Sequence, residues 1–203
     1  MKIIAIGQNY VEHNHEMRSV QPKNPVVFMK PDSAILRKNR PFYIPDFTQD
    51  LHHEVELIVK INRLGKNIAR KFAHRYYAEI GLGIDFTARD LQNQLKENGH
   101  PWEISKAFDY SAVIGEFIPV TEIKDVNEID FRLDINGKTV QKANSSAMIF
   151  QIDELIAYIS RFFTLKIGDL LFTGTPAGVG PVRIGDRLEG YIFDQKMFDF
   201  KIK

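Results

Sequence analysis

Cysteine is absent from this 203-residue chain. That one absence excludes disulfides, thiolate zinc sites, iron–sulfur clusters and thiol nucleophiles together. Any metal must be held by imidazole, carboxylate or carbonyl groups. No apolar run approaches the ~18 residues of a membrane span. The opening MKIIAIGQNY is too short for a secretory apolar region and lacks a small-residue cleavage site, so the chain reads as soluble and cytoplasmic, with no membrane partner. An excess of charge is lacking too: 27 Lys and Arg against 26 Asp and Glu give a formal net charge of +1. A nucleic-acid partner, which would call for a basic surplus against phosphates, is not expected. Repeats, low-complexity tracts and linker-like runs of Gly or Pro are missing. What remains is 44% apolar residues, enough to bury one core and offset chain entropy. The length fits one domain over 1–203, with room for a small N-terminal extension over about 1–40.

Apolar patterning predicts strands over 2–7 and 26–30, with a short helix over 9–18 capped by Asn9. The Pro- and aromatic-rich stretch 37–48 reads as extended edges and turns. Residues 53–60 alternate, placing Val55, Leu57 and Val59 on one face and Glu54, Glu56 and Ile58 on the other. A helix is expected over 69–78, then a strand over 79–86 that delivers Asp85 to a helix over 87–98 closed by Gly99. Asn136-Gly137 marks a type I′ hairpin between 131–135 and 138–141. Residues 152–163 show helical spacing, and strands follow at 170–173, 188–193 and near the C-terminus. The fold class is therefore α+β and mainly β, without the strand–helix alternation of a doubly wound sheet.

Residues i and i+2 of a strand point the same way, with Cα atoms roughly 6.6 Å apart at ~3.3 Å rise per residue. Glu54 and Glu56 can therefore converge on one cation, although an isolated pair of this kind ordinarily forms a solvated acidic face. Asp85 changes the balance, because it ends an apolar run where a lone carboxylate would be costly to bury. Three carboxylates suit Mg²⁺ or Mn²⁺. Asp85, Arg89 and Gln92 can share a helical face, and a guanidinium near a carboxylate-bound metal suits a substrate carboxylate. The alternative for Arg89 is a surface ion pair. His13 and Glu16, spaced i,i+3, place an imidazole against a carboxylate that would orient it as a base, an arrangement also common on helix surfaces. His15 points elsewhere. His52 shares the parity of Glu54 and can approach the site, whereas His53 reads as structural. Lys106, in a partly apolar setting, can meet developing enolate charge or snorkel to solvent. The Gly-rich run 173–181 lacks a P-loop ending, but its small residues and hydroxyls allow close approach to a small ligand.

In this order the signals resemble the fumarylacetoacetate hydrolase family, of the short acylpyruvate hydrolase or oxaloacetate decarboxylase type. The resemblance spans nearly the whole chain. It is carried by Ile6-Gly7-Gln8-Asn9-Tyr10 with His13 and Glu16, Pro25-Val26-Val27-Phe28-Met29-Lys30-Pro31, and Leu51-His52-His53-Glu54-Val55-Glu56-Leu57. It continues through Asp85-Phe86-Thr87-Ala88-Arg89-Asp90-Leu91-Gln92, Trp102, Lys106, Ser146-Ala147-Met148-Ile149-Phe150, and Thr173-Gly174-Thr175-Pro176-Ala177-Gly178-Val179-Gly180. The resemblance implies a mixed β-roll with a few short helices, assembled as a homodimer. It implies Mg²⁺ or Mn²⁺ on Glu54, Glu56 and Asp85, and catalysis by His13, Glu16 and Lys106, the His–Glu pair lying on a mobile N-terminal helix. Arg89, Gln92 and Thr175 match substrate-contacting positions. Gln8 replaces the family's usual Arg, which bears on the ordering of the His13 helix or on substrate range. The implied activity is metal-dependent hydrolysis of the C–C bond of acylpyruvate-type 2,4-dioxo acids through a metal-stabilised pyruvate enolate, with decarboxylation of oxaloacetate alongside. The alternatives are a 2-hydroxyhepta-2,4-diene-1,7-dioate isomerase or decarboxylase of aromatic catabolism, and a non-catalytic metal- and ligand-binding protein of the same fold.

Overall fold

The computed structural model describes residues 1–37 and 39–203. In chain order the elements are β1 (Ile3–Gly7), α1 (Val11–Glu16), β2 (Val26–Lys30), β3 (Ile35–Leu36), β4 (Leu51–His53), β5 (Val55–Ile61), β6 (Tyr77–Asp85), β7 (Thr87–Ala88), α2 (Arg89–Glu97), α3 (Glu103–Lys106), β8 (Ala112–Pro119), β9 (Asp130–Ile135), β10 (Lys138–Asn144), α4 (Ile152–Ile159), β11 (Leu170–Phe172), β12 (Gly180–Pro181), β13 (Arg187–Ile192) and β14 (Gln195–Lys201). Strands outweigh helices, as the sequence pattern predicts. Seven strands form one sheet in the order β2-β1-β11-β5-β6-β8-β3; four form a second, β10-β9-β13-β14; a small third sheet is β12-β4-β7. Within the stretch where the length left room for an extension, β1, β2 and β3 join the large sheet. Lys38, inside the stretch expected as edges and turns, lies outside the described residues.

The strand expected over 53–60 is divided at Glu54. Its first part, β4, pairs with β7 and β12, and its second, β5, lies between β11 and β6. Val55, Leu57 and Val59 face the main core as predicted, but Ile58 is also fully buried, in a second cluster with Ile3, Ala5, Phe28 and Phe172. Both faces of β5 are thus covered, and the face carrying Glu54 and Glu56 is interior where the pattern alone had left it open to solvent.

Four expectations change. The segment 69–78 is a 3₁₀ turn at Arg70–Arg75 followed directly by β6; pairing of Tyr77 and Glu79–Ile80 with Val59–Ile61 outweighs local helical preference. Thr87 and Ala88 pair with His52 and Leu51 as β7, so α2 begins at Arg89, where the backbone N–H donates to Asp50 O. Asp85 therefore ends a strand and shares no helical face with Arg89. Asn9 does not cap α1. Its side chain is fully buried and ties distant loops together, its Nδ2 donating to Phe150 O and Thr173 O while its Oδ1 accepts from Phe150 N–H. Finally, β8 was not anticipated: Gly115 and Pro119 interrupt its pattern, and only pairing with β6 and β3 defines it. The hairpin at Asn136-Gly137 forms as predicted, both residues at positive φ, 53° and 79°. Among the described residues, no helix is long and apolar enough to cross a membrane.

Candidate active site

Glu56 and Asp85 come from neighbouring strands at the centre of the large sheet, and Glu54 from the break between β4 and β5. One carboxylate oxygen from each lies within 4.8 Å of the others, and all three residues are buried. Glycine makes the approach possible. Gly83 pairs with Glu56, and a Cβ there would sit 2.1 Å from Val113 O and 2.5 Å from Ile58 Cδ1, so no side chain fits between the strands at that level.

The carboxylates differ electrostatically. Burial raises the pKa of Glu56, and the nearby charges of Asp85 and Glu54 raise it further, so it stands well above the usual carboxylate range despite Lys106 and the Gly174 N–H at 2.7 Å. Burial acts on Glu54 in the same direction, but Lys106 and Arg89 outweigh it and hold Glu54 well below that range, with a smaller contribution from His13.

Lys106 is buried between Glu54 and Asp85. Its ammonium donates to Glu54 Oε2 at 2.7 Å, Asp85 Oδ2 at 2.8 Å and Thr87 Oγ1 at 2.6 Å, which uses all three of its protons. Desolvation alone would lower its pKa, but Asp85 and Glu54 reverse the direction and raise it. The snorkelling alternative is thereby set aside. Lys30, which sequence reasoning named only as part of a motif, lies behind the cluster with Nζ 2.5 Å from Asp85 Oδ1 and a 3.0 Å bond to Ser111 Oγ. Asp85 Oδ1 is thus met by an ammonium, and three buried carboxylates converging with no soft ligand among them fit a hard divalent cation.

Arg89 and Gln92, on the first turn of α2, are both buried. The guanidinium donates to Glu54 Oε1 and Gln92 Oε1, and its Nε donates to His52 Nδ1 at 3.4 Å. His52 reaches the cluster only through Arg89. The i,i+4 surface pair considered for Arg89 does not form.

On α1, His13 is buried and its Nδ1 lies 3.2 Å from Glu16 Oε2. A carboxylate only accepts, so the proton is assigned to Nδ1, leaving Nε2 with its lone pair. Both Glu16 oxygens accept from Gly178 N–H, at 3.0 and 3.2 Å, which fixes the far side of the pair to the Gly-rich loop. Thr175, on that loop, is also buried. His15, on the same helix, is exposed. His53 is buried and bonds to Gln141, not to the acidic cluster. A groove of about 890 Å³ is lined by Met29, Phe47, Leu91, Ile104 and Phe108 among others, and none of the three carboxylates borders it; its walls are too apolar for a small anion.

Lys30 and Gln141 are the residues that sequence reasoning missed. The only signal for Lys30 was its place at the end of an apolar strand just before Pro31. Gln141 carried none, because its partners are 34 to 88 residues away.

Three buried carboxylates, two buried lysines and a His–Glu pair in a β-rich domain form the kind of arrangement that could hold a divalent cation. The chain belongs to the fumarylacetoacetate hydrolase family: the model of the family's C-terminal domain matches residues 2–198. It is 37% identical over 201 residues to bovine "Oxaloacetate tautomerase FAHD1, mitochondrial", covering 99% of this chain and 91% of the relative. It is 42% identical over 188 residues to "Oxaloacetate tautomerase YcgM" of Escherichia coli K12, covering 92% and 86%. Among solved structures, fumarylpyruvate hydrolase from Pseudomonas aeruginosa in complex with Mn²⁺ and pyruvate superposes with a TM-score of 0.94 at 34% identity, covering all of this chain and 89% of that one. These relatives are enzymes of tautomerase and hydrolase type.

Proposed function

We propose that this protein is a divalent-metal-dependent enzyme acting on small 2-oxo acids with a second carbonyl or carboxylate at position 4, and that keto–enol tautomerisation of oxaloacetate is its first activity. The observation that carries this reading is the buried convergence of Glu54, Glu56 and Asp85, with the His13–Glu16 pair supplying an oriented imidazole. Held by those three carboxylates, Mg²⁺ or Mn²⁺ would supply Lewis-acid polarisation of the substrate's 2-oxo group. The rest falls to side chains. His13 Nε2 takes a proton from the carbon between the two carbonyl-type groups, and Glu16 stabilises the imidazolium that results. Arg89 and the free amide of Gln92 orient the substrate carboxylate, Thr175 offers a hydroxyl, and Lys106 meets the negative charge that develops on the substrate oxygen. Delivering that proton to the 2-oxo oxygen gives the enol, and the reverse sequence, from enol oxygen to carbon, gives the keto form.

A second reading, C–C hydrolysis of acylpyruvates, is favoured by the same free Nε2, which can equally take a proton from water for attack on the distal carbonyl. The likeness to a fumarylpyruvate hydrolase supports it. The two separate by assay: decay of enol-oxaloacetate absorbance and loss of acylpyruvate absorbance, each with Mn²⁺ and with EDTA. Metal-dependent turnover of oxaloacetate enol that falls ~10²-fold or more in His13→Ala supports the first reading. His13→Ala should also suppress acylpyruvate hydrolysis far more than decarboxylation of oxaloacetate, which needs no attacking water. Absence of turnover on all these substrates would sink both readings and favour a binding protein.

A further inference from the structure

Gln141 lies on β10, in the second sheet, at an irregularity in the β9–β10 pairing between Thr139 and Gln141. Such bulges turn a side chain off the regular pleat. Its neighbours Thr139 and Lys142 are exposed, yet Gln141 is buried. The amide makes four hydrogen bonds. Oε1 accepts from His53 Nδ1 at 2.9 Å and from Val55 N–H at 3.0 Å, and Nε2 donates to Thr175 Oγ1 and Pro176 O, both at 2.9 Å. This is the full capacity of a primary amide.

The first two partners flank Glu54 in sequence, at the point where β4 leaves one sheet and β5 enters another. The second pair fixes the loop carrying Thr175. Because Thr175 Oγ1 accepts from Gln141, its own hydroxyl proton is left to point elsewhere, as a donor. The contact continues along the loop. A Cβ on Gly178, at φ +96°, would lie 2.4 Å from Val140 O and 3.3 Å from Gln141 Cγ, so the bulged strand sets how closely Gly178 packs, and Gly178 N–H holds Glu16.

We infer that Gln141 is a positioning residue for the reaction: from the second sheet it fixes the backbone on both sides of Glu54 and sets Thr175 as a hydrogen-bond donor to substrate. The Thr175 part rests on the proposed function, whereas the Glu54 part requires only that the carboxylates bind a cation.

The test combines Gln141→Met, which keeps the volume and removes all four bonds, with Thr175→Val. Calorimetric titration of Gln141→Met with Mn²⁺ should show affinity weakened ~10-fold or more, the usual effect of losing an outer-sphere partner. On oxaloacetate, each single variant should lower kcat/KM, and the double variant should lose less than the product of the two. A folded Gln141→Met with wild-type Mn²⁺ affinity and kinetics, its melting temperature alone reduced, would overturn the inference, as would strictly multiplicative losses in the double variant. If Gln141→Met does not fold, Gln141→Glu keeps the acceptor and loses the donor: KM should rise ~10-fold, the loss of about one hydrogen bond, with Mn²⁺ binding retained, and an unchanged KM overturns the inference. If the wild type turns over none of the substrates, the proposed function fails, and the Mn²⁺ titration still decides the role at Glu54.

Discussion

Asp85 carries the most demanding position of any side chain in the site. It is fully buried, and each of its oxygens is met by an ammonium, Oδ1 by Lys30 and Oδ2 by Lys106. Asp85→Asn keeps the shape and removes the charge, so Mn²⁺ affinity measured by calorimetry should fall ~10²-fold or more, while Arg89 keeps its bond to Glu54. Wild-type affinity in this variant would remove Asp85 from the ligand set. At this scale the sequence was informative where chemistry is local. Glu54 and Glu56 share strand parity, Asp85 ends an apolar run, and His13 and Glu16 share a helix face, so each was visible from its neighbours. Lys30 and Gln141 were not, because their roles exist only once strands far apart in sequence pack together.

Turns and short strands supply the next level of control. Asp169 closes the turn before β11 and holds β1 beside it: its carboxylate accepts from Lys2 N–H at 2.9 Å, from Lys166 N–H at 2.8 Å and from the Lys2 ammonium. Burial opposes ionisation, but those bonds win and hold the carboxyl below its ordinary value. A lowered folded-state pKa contributes stability that is fully present above the unfolded value near ~3.9 and is lost as pH falls through the folded value. Urea midpoints across pH should therefore show that Asp169→Asn costs the protein stability at neutral pH and progressively less as pH falls below the unfolded value near ~3.9; a cost that does not change with pH would contradict the ionic role. The elements that the sequence missed share a cause. The stretch over 69–78 was given helical shape by its spacing, and β8 was hidden by Gly115 and Pro119, yet both take the form their sheet partners impose. The Asn136-Gly137 hairpin was legible because its turn needs only its own two residues.

At the scale of the whole molecule, cation binding under the proposed function would act through linkage. A ligand that binds only the folded state adds ~2.7 kcal/mol at 100 times its dissociation constant, and in a domain of this size each kcal/mol moves the melting temperature by ~2–4 °C. Saturating Mn²⁺ should thus raise the melting temperature by about 5–10 °C, reversibly with EDTA, in differential scanning fluorimetry. Glu54→Gln combined with Asp85→Asn should abolish the shift. The fold class was readable from the scarcity of helical periods and the frequency of turn signals. The three-sheet topology was not, because parallel pairing of β1 with β11 and of β3 with β8 joins segments that carry no sign of each other.

The parts of the site also differ in how freely they can change. Glu56 and Asp85 stand on β5 and β6, central strands packed on both faces, where a substitution disturbs the core. The His13–Glu16 pair rides on a six-residue helix, and Thr175 on a loop. Substitution on the strands disturbs the sheet packing around the carboxylates, whereas substitution on the helix or the loop leaves that packing in place. Library mutagenesis confined to 8–20 and 174–180 should accordingly yield folded, cation-binding variants with altered substrate preference far more often than mutagenesis of β5 and β6.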